Sequence, residues 1–450
     1  MPSDNKHSRR HQLYSYANTL TTIDPREHLI TLRMFVKWTL LGSAVGILAG
    51  VASAVFLITL NWATLIRFAQ PALLFLLPPV GLLVGWAYYR YAGAASGGNN
   101  LVIEEVHVNR SPIPLRMAPM IWAGTLLTHL FGGSAGREGT AVQMGASLSD
   151  WLHRRLKLSP EDRQLMLLAG ISGGFGSVFG TPIAGFVFAL EVQSVGRVWY
   201  EGFIPCLAAA LVGNMVTSRL IKAVGITDSH YPQLVNLELE PVLLIKFVIA
   251  GALIGLTSLL FVELTHAIKH LFKDLFKWSP LRPFIGGILI IGLTLLIGSQ
   301  DYLGLSLPLI QNSLNGVGVV PFAFVFKLLF TAVTLGTGFL GGEVTPLFVI
   351  GAALGYTLGH VLGIDPAVMA SVGMVAIFAG ASNTPLASTL MAVELFGGGS
   401  LVYVGLGCFT AYLASGHRSI YETQRISVAK VRGIEVRPDD TMGTLGERRR

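Results

Sequence analysis

From Trp38 to Leu60 the chain runs without a single charged side chain. A run of ~20 apolar residues crosses the hydrocarbon core of a bilayer as a helix. No other feature limits the fold so tightly, because backbone donors and acceptors in lipid have to be satisfied within the segment itself. Shorter uncharged runs follow at Phe284 to Ser299 and Phe348 to Gly363. The whole composition agrees: 52% of the 450 residues are hydrophobic and 13% charged, against ~25% charged in an ordinary soluble domain. The expected fold is an all-α polytopic membrane protein.

The net charge of +7 does not point to nucleic acid. The basic residues lie mainly in the two tails and in short connections such as Arg154, Arg155 and Lys157, the pattern of a chain whose positive loops stay inside. Both termini are therefore expected in the cytoplasm. The polar start, SerAspAsnLysHisSerArgArg, is the wrong order for a cleavable signal peptide. Cys206 and Cys408 both sit in apolar segments and read as small buried hydrophobes. No zinc or iron spacing, phosphate-binding GlyxxxxGlyLysSer/Thr loop or hydrolase constellation is present. An enzyme, a metal and a cofactor are not expected.

Many apolar segments are short and broken by glycine-rich patches at 96–100, 132–140, 173–182 and 336–346. With 52 glycines, helices can approach closely and irregular backbone can line a cavity at membrane depth. An internal repeat is also visible. ThrProIleAlaGlyPheValPheAlaLeuGlu (181–191) matches ThrProLeuAlaSerThrLeuMetAlaValGlu (384–394) at five of eleven positions, offset by 203, and GlyArgGluGlyThr (136–140) faces GlyGlyGluValThr (341–345) at 205. The division expected is a tail over 1–29, repeats over 30–222 and 240–415, a connection over 223–239, and a C-terminal segment over 416–450. Transporter repeats of this kind commonly have inverted topology, with broken helices meeting near the midplane. The four patches are expected to converge.

A helix N-terminus in a dry site binds anions through unpaired N–H groups and a partial positive charge. SerGlyGlyAsnAsn, SerAlaGlyArgGlu and LeuGlyGlyGlu all read as such starts, so the expected ligand is a small anion. Glu138 and Glu343 follow the glycines at matching repeat positions. A carboxylate there can occupy an anion site and leave it when protonated. Glu343 also reads as a simple cap, and Arg137 as an ion-pair partner or interfacial anchor. Glu191 and Glu394 end matching apolar segments, where a hydrogen bond to backbone competes with a functional role. His129 reads as a packing histidine.

GlySerAlaGlyArgGluGlyThr, GlyGlyGluValThrPro, the duplicated chain and SerIleTyr at 419–421 together resemble the CLC family of chloride channels and proton-coupled anion exchangers, over about residues 30–425. The resemblance implies that Glu138 is the gating and proton-transfer residue. It implies an anion site drawn from Asn99, Gly136, Arg137, Gly139, Thr140, Val344, Thr345 and Tyr421, with Gly98, Asn100 and Glu343 as further candidates. GlyAsnAsnLeuVal replaces the family's GlySerGlyIlePro, Thr140 a proline, and GluValThrPro a PhexPro element; Val192 stands where exchangers carry an internal proton glutamate. These departures are similar to the fluoride-exporting bacterial branch. Fluoride loses more hydration than chloride, so its site needs short, strong hydrogen bonds, and Asn99 and Thr345 supply amide and hydroxyl donors. Both also read as helix-cap residues. The function implied is fluoride/proton antiport that exports fluoride; the alternative is a chloride or nitrate channel or chloride/proton exchanger. The partners implied are fluoride, with chloride as the alternative, protons, membrane lipid and a second copy of the chain, each subunit with its own pathway, in the bacterial inner membrane.

Overall fold

The computed structural model describes residues 25–226, 231–234, 236–437 and 439–448. The expected tail over 1–29 therefore lies outside the described residues up to 24, and its last part is already helical, since the first helix starts at Pro25. Among the described residues the chain is almost wholly helical, and five helical spans are long and apolar enough to cross a membrane.

The helices form two series of eight. The first is α1 (Pro25–Ala69), α2 (Leu77–Tyr91), α3 (Gly98–Val108), α4 (Met117–Leu130), α5 (Glu138–Leu156), α6 (Pro160–Phe179), α7 (Pro182–Glu191) and α8 (Phe203–Ala223). The second is α9 (Pro241–Leu275), α10 (Leu281–Ile297), α11 (Leu307–Leu314), α12 (Ala323–Gly336), α13 (Val344–Leu362), α14 (Pro366–Ser382), α15 (Pro385–Phe396) and α16 (Leu401–Ala414). A short α17 (Met442–Arg448) follows. Several starts have a local cause. Pro160, Pro182, Pro366 and Pro385 sit in the first turn, where a missing N–H costs nothing. Ser159 and Asp365 cap α6 and α14 by accepting from backbone N–H groups of the first turn.

The two series run in opposite directions. Lys37 near the start of α1 donates to Asp162 at 2.7 Å, Arg163 joins Glu105 at 3.0 Å and Asp150 at 2.5 Å, and His107 meets the Gln193 carbonyl at 2.8 Å. These contacts gather the start of α1 and α6 and the ends of α3 and α7 on one face. The strand Ser194–Val195 (β1) pairs in parallel with Arg425–Ile426 (β2) there. Beside it the far end of α9 is held by Lys269 on Glu422 at 2.8 Å and by Arg418 on Glu263. So α1 begins, and α9 ends, on the same basic face.

The halves meet through reciprocal contacts. Glu191 at the end of α7 accepts from the N–H groups of Leu386 and Ala387 at 3.0 and 2.8 Å, opening α15; Glu394 near the end of α15 accepts from Ile183 and Ala184 at 2.9 and 2.7 Å, opening α7. Each acid thus satisfies the orphan donors of the partner helix, the backbone bond that is one of its two readings. Gly136 and Gly342 exchange N–H···O bonds of 2.6 and 2.8 Å.

That exchange corrects the alignment of the repeat by one residue. With α5 opening at 138 and α13 at 344, the offset is 206, so Glu138 stands opposite Val344, and Glu343 opposite Arg137. The 203 offset further on arises because α6 has 20 residues and α14 has 17. The patch over 173–182 also differs from expectation. Most of it is the body of α6, and its glycines serve helix packing: a Cβ on Gly174 would stand 2.4 Å from the Ala141 carbonyl oxygen. The same logic joins α13 to α14, where a Cβ on Gly351 would lie 2.2 Å from the Gly373 oxygen and the reverse holds as well. Gly351→Ala is expected to cost ~1–3 kcal/mol by overpacking, seen as a lower melting midpoint in detergent; an unchanged midpoint would show that the helices can separate freely.

Candidate anion and proton site

Three glycine-rich starts do converge. Gly98 takes φ 57°, ψ −137°, a conformation open to glycine, and it opens α3. Gly136 and Gly342 bring the first turns of α5 and α13 against each other. Gly139 leaves no room for a side chain: a Cβ there would lie 2.7 Å from Asn99 Nδ2, 3.2 Å from Gly342 Cα and 3.5 Å from Glu343 Oε2. Asn99, Gly139 and Glu343 are therefore immediate neighbours around one point.

Glu138 lies at the centre and is wholly buried. Its carboxylate reaches across to the other half of the chain. Thr345 donates its N–H to Oε2 at 3.0 Å, and its hydroxyl lies 2.6 and 2.7 Å from Oε1 and Oε2. Arg137 adds its N–H to Oε2 at 3.2 Å and its Nε to Oε1 at 3.3 Å. The hydroxyl distances are those of charge-assisted O–H···O⁻ bonds. The carboxylate thus fills the N-terminus of α13 as an anion would. Thr345 spends its hydroxyl on Glu138 rather than on capping its own helix.

Glu343 is not a side-chain cap either. It holds the N-cap position of α13 without a capping bond, and its Oε2 is buried without a partner. Asn99 Oδ1 is likewise buried without a partner. Both are acceptor oxygens, and such groups are expensive unless a donor such as water meets them. Tyr421 is buried, its ring 6.5 Å from that of Phe188, with Glu343 and Glu138 both within Coulombic reach of its phenol. Val344 opens α13 and is buried.

Two candidates turn elsewhere. Thr140 lies in the first turn of α5, and its hydroxyl is 2.7 Å from that of Thr125. Asn100 donates to Glu422 Oε2 at 3.3 Å, while its carbonyl takes the Thr423 hydroxyl at 2.8 Å. It ties α3 to the segment that carries Tyr421. His129 packs with Nε2 3.4 Å from the Gly136 carbonyl oxygen.

The site divides two cavities. One of about 440 Å³ is lined by Arg137, Asn61, Ser177, Asn214 and Thr217, towards the end of α1. The other, of about 180 Å³, is lined by Gly98, Asn100, Gln143, Glu343, His266 and Lys269, towards the basic face. Arg137 looks into the first, Glu343 into the second, and Glu138 is sealed between them.

Sequence reasoning passed over His266, Lys269 and Glu422. It also passed over Lys327, although a lysine inside an apolar helix is a signal by default. Lys327 is fully buried and donates to the carbonyls of Tyr302 and Gly304 at 3.2 and 2.8 Å and to the Ser306 hydroxyl at 2.9 Å. Those bonds pin the loop before α11.

A family profile described as "Voltage gated chloride channel" matches residues 80–416. The "Chloride/fluoride channel protein" of Pseudomonas syringae pv. tomato is 45% identical over 412 residues, 90% of each chain. In three dimensions the chain is similar to a crystal structure described as a CLC-type fluoride/proton antiporter, with TM-score 0.84 and 31% identity over 87% of this chain and 98% of that one. A slow cyanobacterial Cl⁻/H⁺ antiporter shares the fold at 19% identity and TM-score 0.72, covering 84% of this chain and 94% of that one.

Proposed function

The chain belongs to the voltage-gated chloride channel family, and from that premise we propose that it is a fluoride/proton antiporter that exports fluoride from the cytoplasm. One observation carries the reading: the Glu138 carboxylate occupies the N-terminus of α13, held by the N–H and hydroxyl of Thr345. A protonated Glu138 loses its charge, releases those donors and leaves them to fluoride. A returning carboxylate displaces the anion. Proton and fluoride thus alternate at one set of donors and move in opposite directions.

Asn99 and Thr345 favour fluoride because they can give the short hydrogen bonds that a small, strongly hydrated anion demands. The names borne by the relatives support the same ion. We assign Gly136, Gly139 and Val344 to the backbone of the site, Arg137 to the outer approach, and Tyr421 and Glu343 to the inner side. Glu343 receives the proton from Glu138. The two halves are taken as repeats over 30–222 and 240–415. The basic face is cytoplasmic by the positive-inside pattern, which puts both ends of the chain inside a bacterial plasma membrane. The assembly proposed is a homodimer with one pathway per subunit.

Liposomes loaded with equal fluoride and chloride test the selectivity. With ion-selective electrodes, fluoride efflux is expected to exceed chloride efflux by about tenfold or more, the equivalent of one strong hydrogen bond. Faster chloride efflux would favour the chloride exchanger instead.

A further inference from the structure

The antiport reading sends a proton inward to Glu343, and Val192 leaves its next carrier unnamed. The Val192 side chain itself offers none. Val192 is buried, and both oxygens of the adjacent Glu191 are occupied by the N–H groups that open α15.

The basic face offers a different way. The 180 Å³ cavity at Glu343 and a second one of about 360 Å³ share two lining residues, His266 and Lys269. The larger cavity is walled by Glu263, His270, Lys273, Arg418, Glu422 and α17. His266 thus stands at the neck between them, one turn from Lys269 on α9. The inner cavity, which Glu343 lines, has room for several waters at ~30 Å³ each.

Glu422 completes the neck. Its Oε2 accepts from Lys269 at 2.8 Å and Asn100 at 3.3 Å, which leaves Oε1 turned to His266 Nε2 at 3.9 Å. Burial works against ionisation of Glu422, but the hydrogen bond and charge of Lys269 prevail and hold its carboxyl below the ordinary value. The charged and titratable groups lining the two cavities around His266 are Glu263, Lys269, His270 and Lys273 on its own helix, Arg418, Glu422 and Glu447 from the C-terminal segment, and Tyr88 and Glu343 across the inner cavity. Arg418 is committed to Glu263 and Lys269 to Glu422.

We propose that His266 and Glu422 carry the proton from Glu343 to the cytoplasm, through the neck between the two inner cavities. Imidazole accepts at one nitrogen and releases from the other, so His266 can take a proton from cavity water and hand it to the Glu422 carboxylate. From there it leaves to the mouth of the larger cavity. No bond other than O–H and N–H is made or broken.

This inference rests on the antiport reading, and one experiment separates the two. Fluoride efflux and proton uptake are recorded together in liposomes holding the wild-type protein, His266→Gln, His266→Ala or Glu422→Gln. The wild type is expected to move protons against fluoride; if it moves none, the antiport reading fails. Given coupling, His266→Gln and Glu422→Gln are each expected to slow proton uptake at least tenfold while fluoride binding to the purified protein stays unchanged. Added imidazole is expected to restore proton uptake in His266→Ala, which a merely structural role of the side chain would not allow. Wild-type proton-to-fluoride ratios and rates in His266→Gln would overturn the route. Should Glu422→Gln fail to fold without its Lys269 pair, His266→Gln and the imidazole rescue decide alone.

Discussion

Glu138→Gln is expected to end proton coupling. The amide has nearly the shape of the protonated acid and still accepts from Thr345, but it cannot release a proton or carry charge. Hydrogen bonds to a carboxylate contribute about 1.5–3 kcal/mol each and neutral ones about 0.5–1.5. The glutamine therefore competes for the N-terminus of α13 less well than the native carboxylate, by about tenfold or more. Fluoride is expected to run passively down its gradient, with proton uptake falling to the leak of protein-free liposomes. Paired fluoride and pH electrodes check this. Uphill proton movement by the variant would remove Glu138 from the exchange, since among the described residues the Thr345 N–H and hydroxyl bond to Glu138.

Thr345→Val is expected to have the second largest effect. Valine keeps the volume and the backbone N–H but deletes the hydroxyl that lies 2.6 and 2.7 Å from the two Glu138 oxygens. A buried anion that loses one such donor pays about 1–3 kcal/mol, so fluoride efflux is expected to fall about tenfold to ~100-fold. Chloride, with weaker hydrogen bonds and less hydration to replace, is expected to lose less. The fluoride preference should narrow, and Thr345→Ser should restore it. An unchanged preference in Thr345→Val would mean that selectivity is set elsewhere, with Asn99 next in line.

Much of this was legible before any coordinates. The glycines before Asn99, Glu138 and Val344 mark three helix starts because a helix that begins beside another backbone tolerates no Cβ there, as at Gly136. The repeat was legible in the ThrPro openings of α7 and α15, which stop and start helices by local rules alone. Other features depend on distant partners. The one-residue correction between Glu138 and Glu343 comes from the Gly136–Gly342 exchange, which no local pattern encodes. The glycines of 173–178 have the same composition as the site glycines yet serve the packing of α6 against α1, α5, α7 and α8. Nothing in their neighbours distinguishes the two uses. Glu422 follows Tyr421 directly, but its partners Lys269 and Asn100 are 153 and 322 positions away. Only the fold brings those three together.

The inverted order of the two halves bears on the mechanism as well. The same elements, α5 and α13, point their N-termini at one another from opposite sides, so donors from both halves surround a single point. Arg137 and Glu343 are counterparts in that arrangement, one beside the 440 Å³ cavity and one beside the 180 Å³ cavity. On the proposed antiport, the cation stands on the side where fluoride is released and the acid on the side where protons leave.

The most direct test of fluoride/proton antiport is uphill proton movement by the purified wild-type protein. Liposomes are loaded with fluoride, set at equal pH inside and out with the membrane potential clamped at zero, and diluted into fluoride-free buffer. The expected result is fluoride efflux accompanied by a rise of protons inside, stopped by a protonophore and absent from protein-free liposomes. Fluoride efflux with no proton movement would contradict antiport and leave a passive channel.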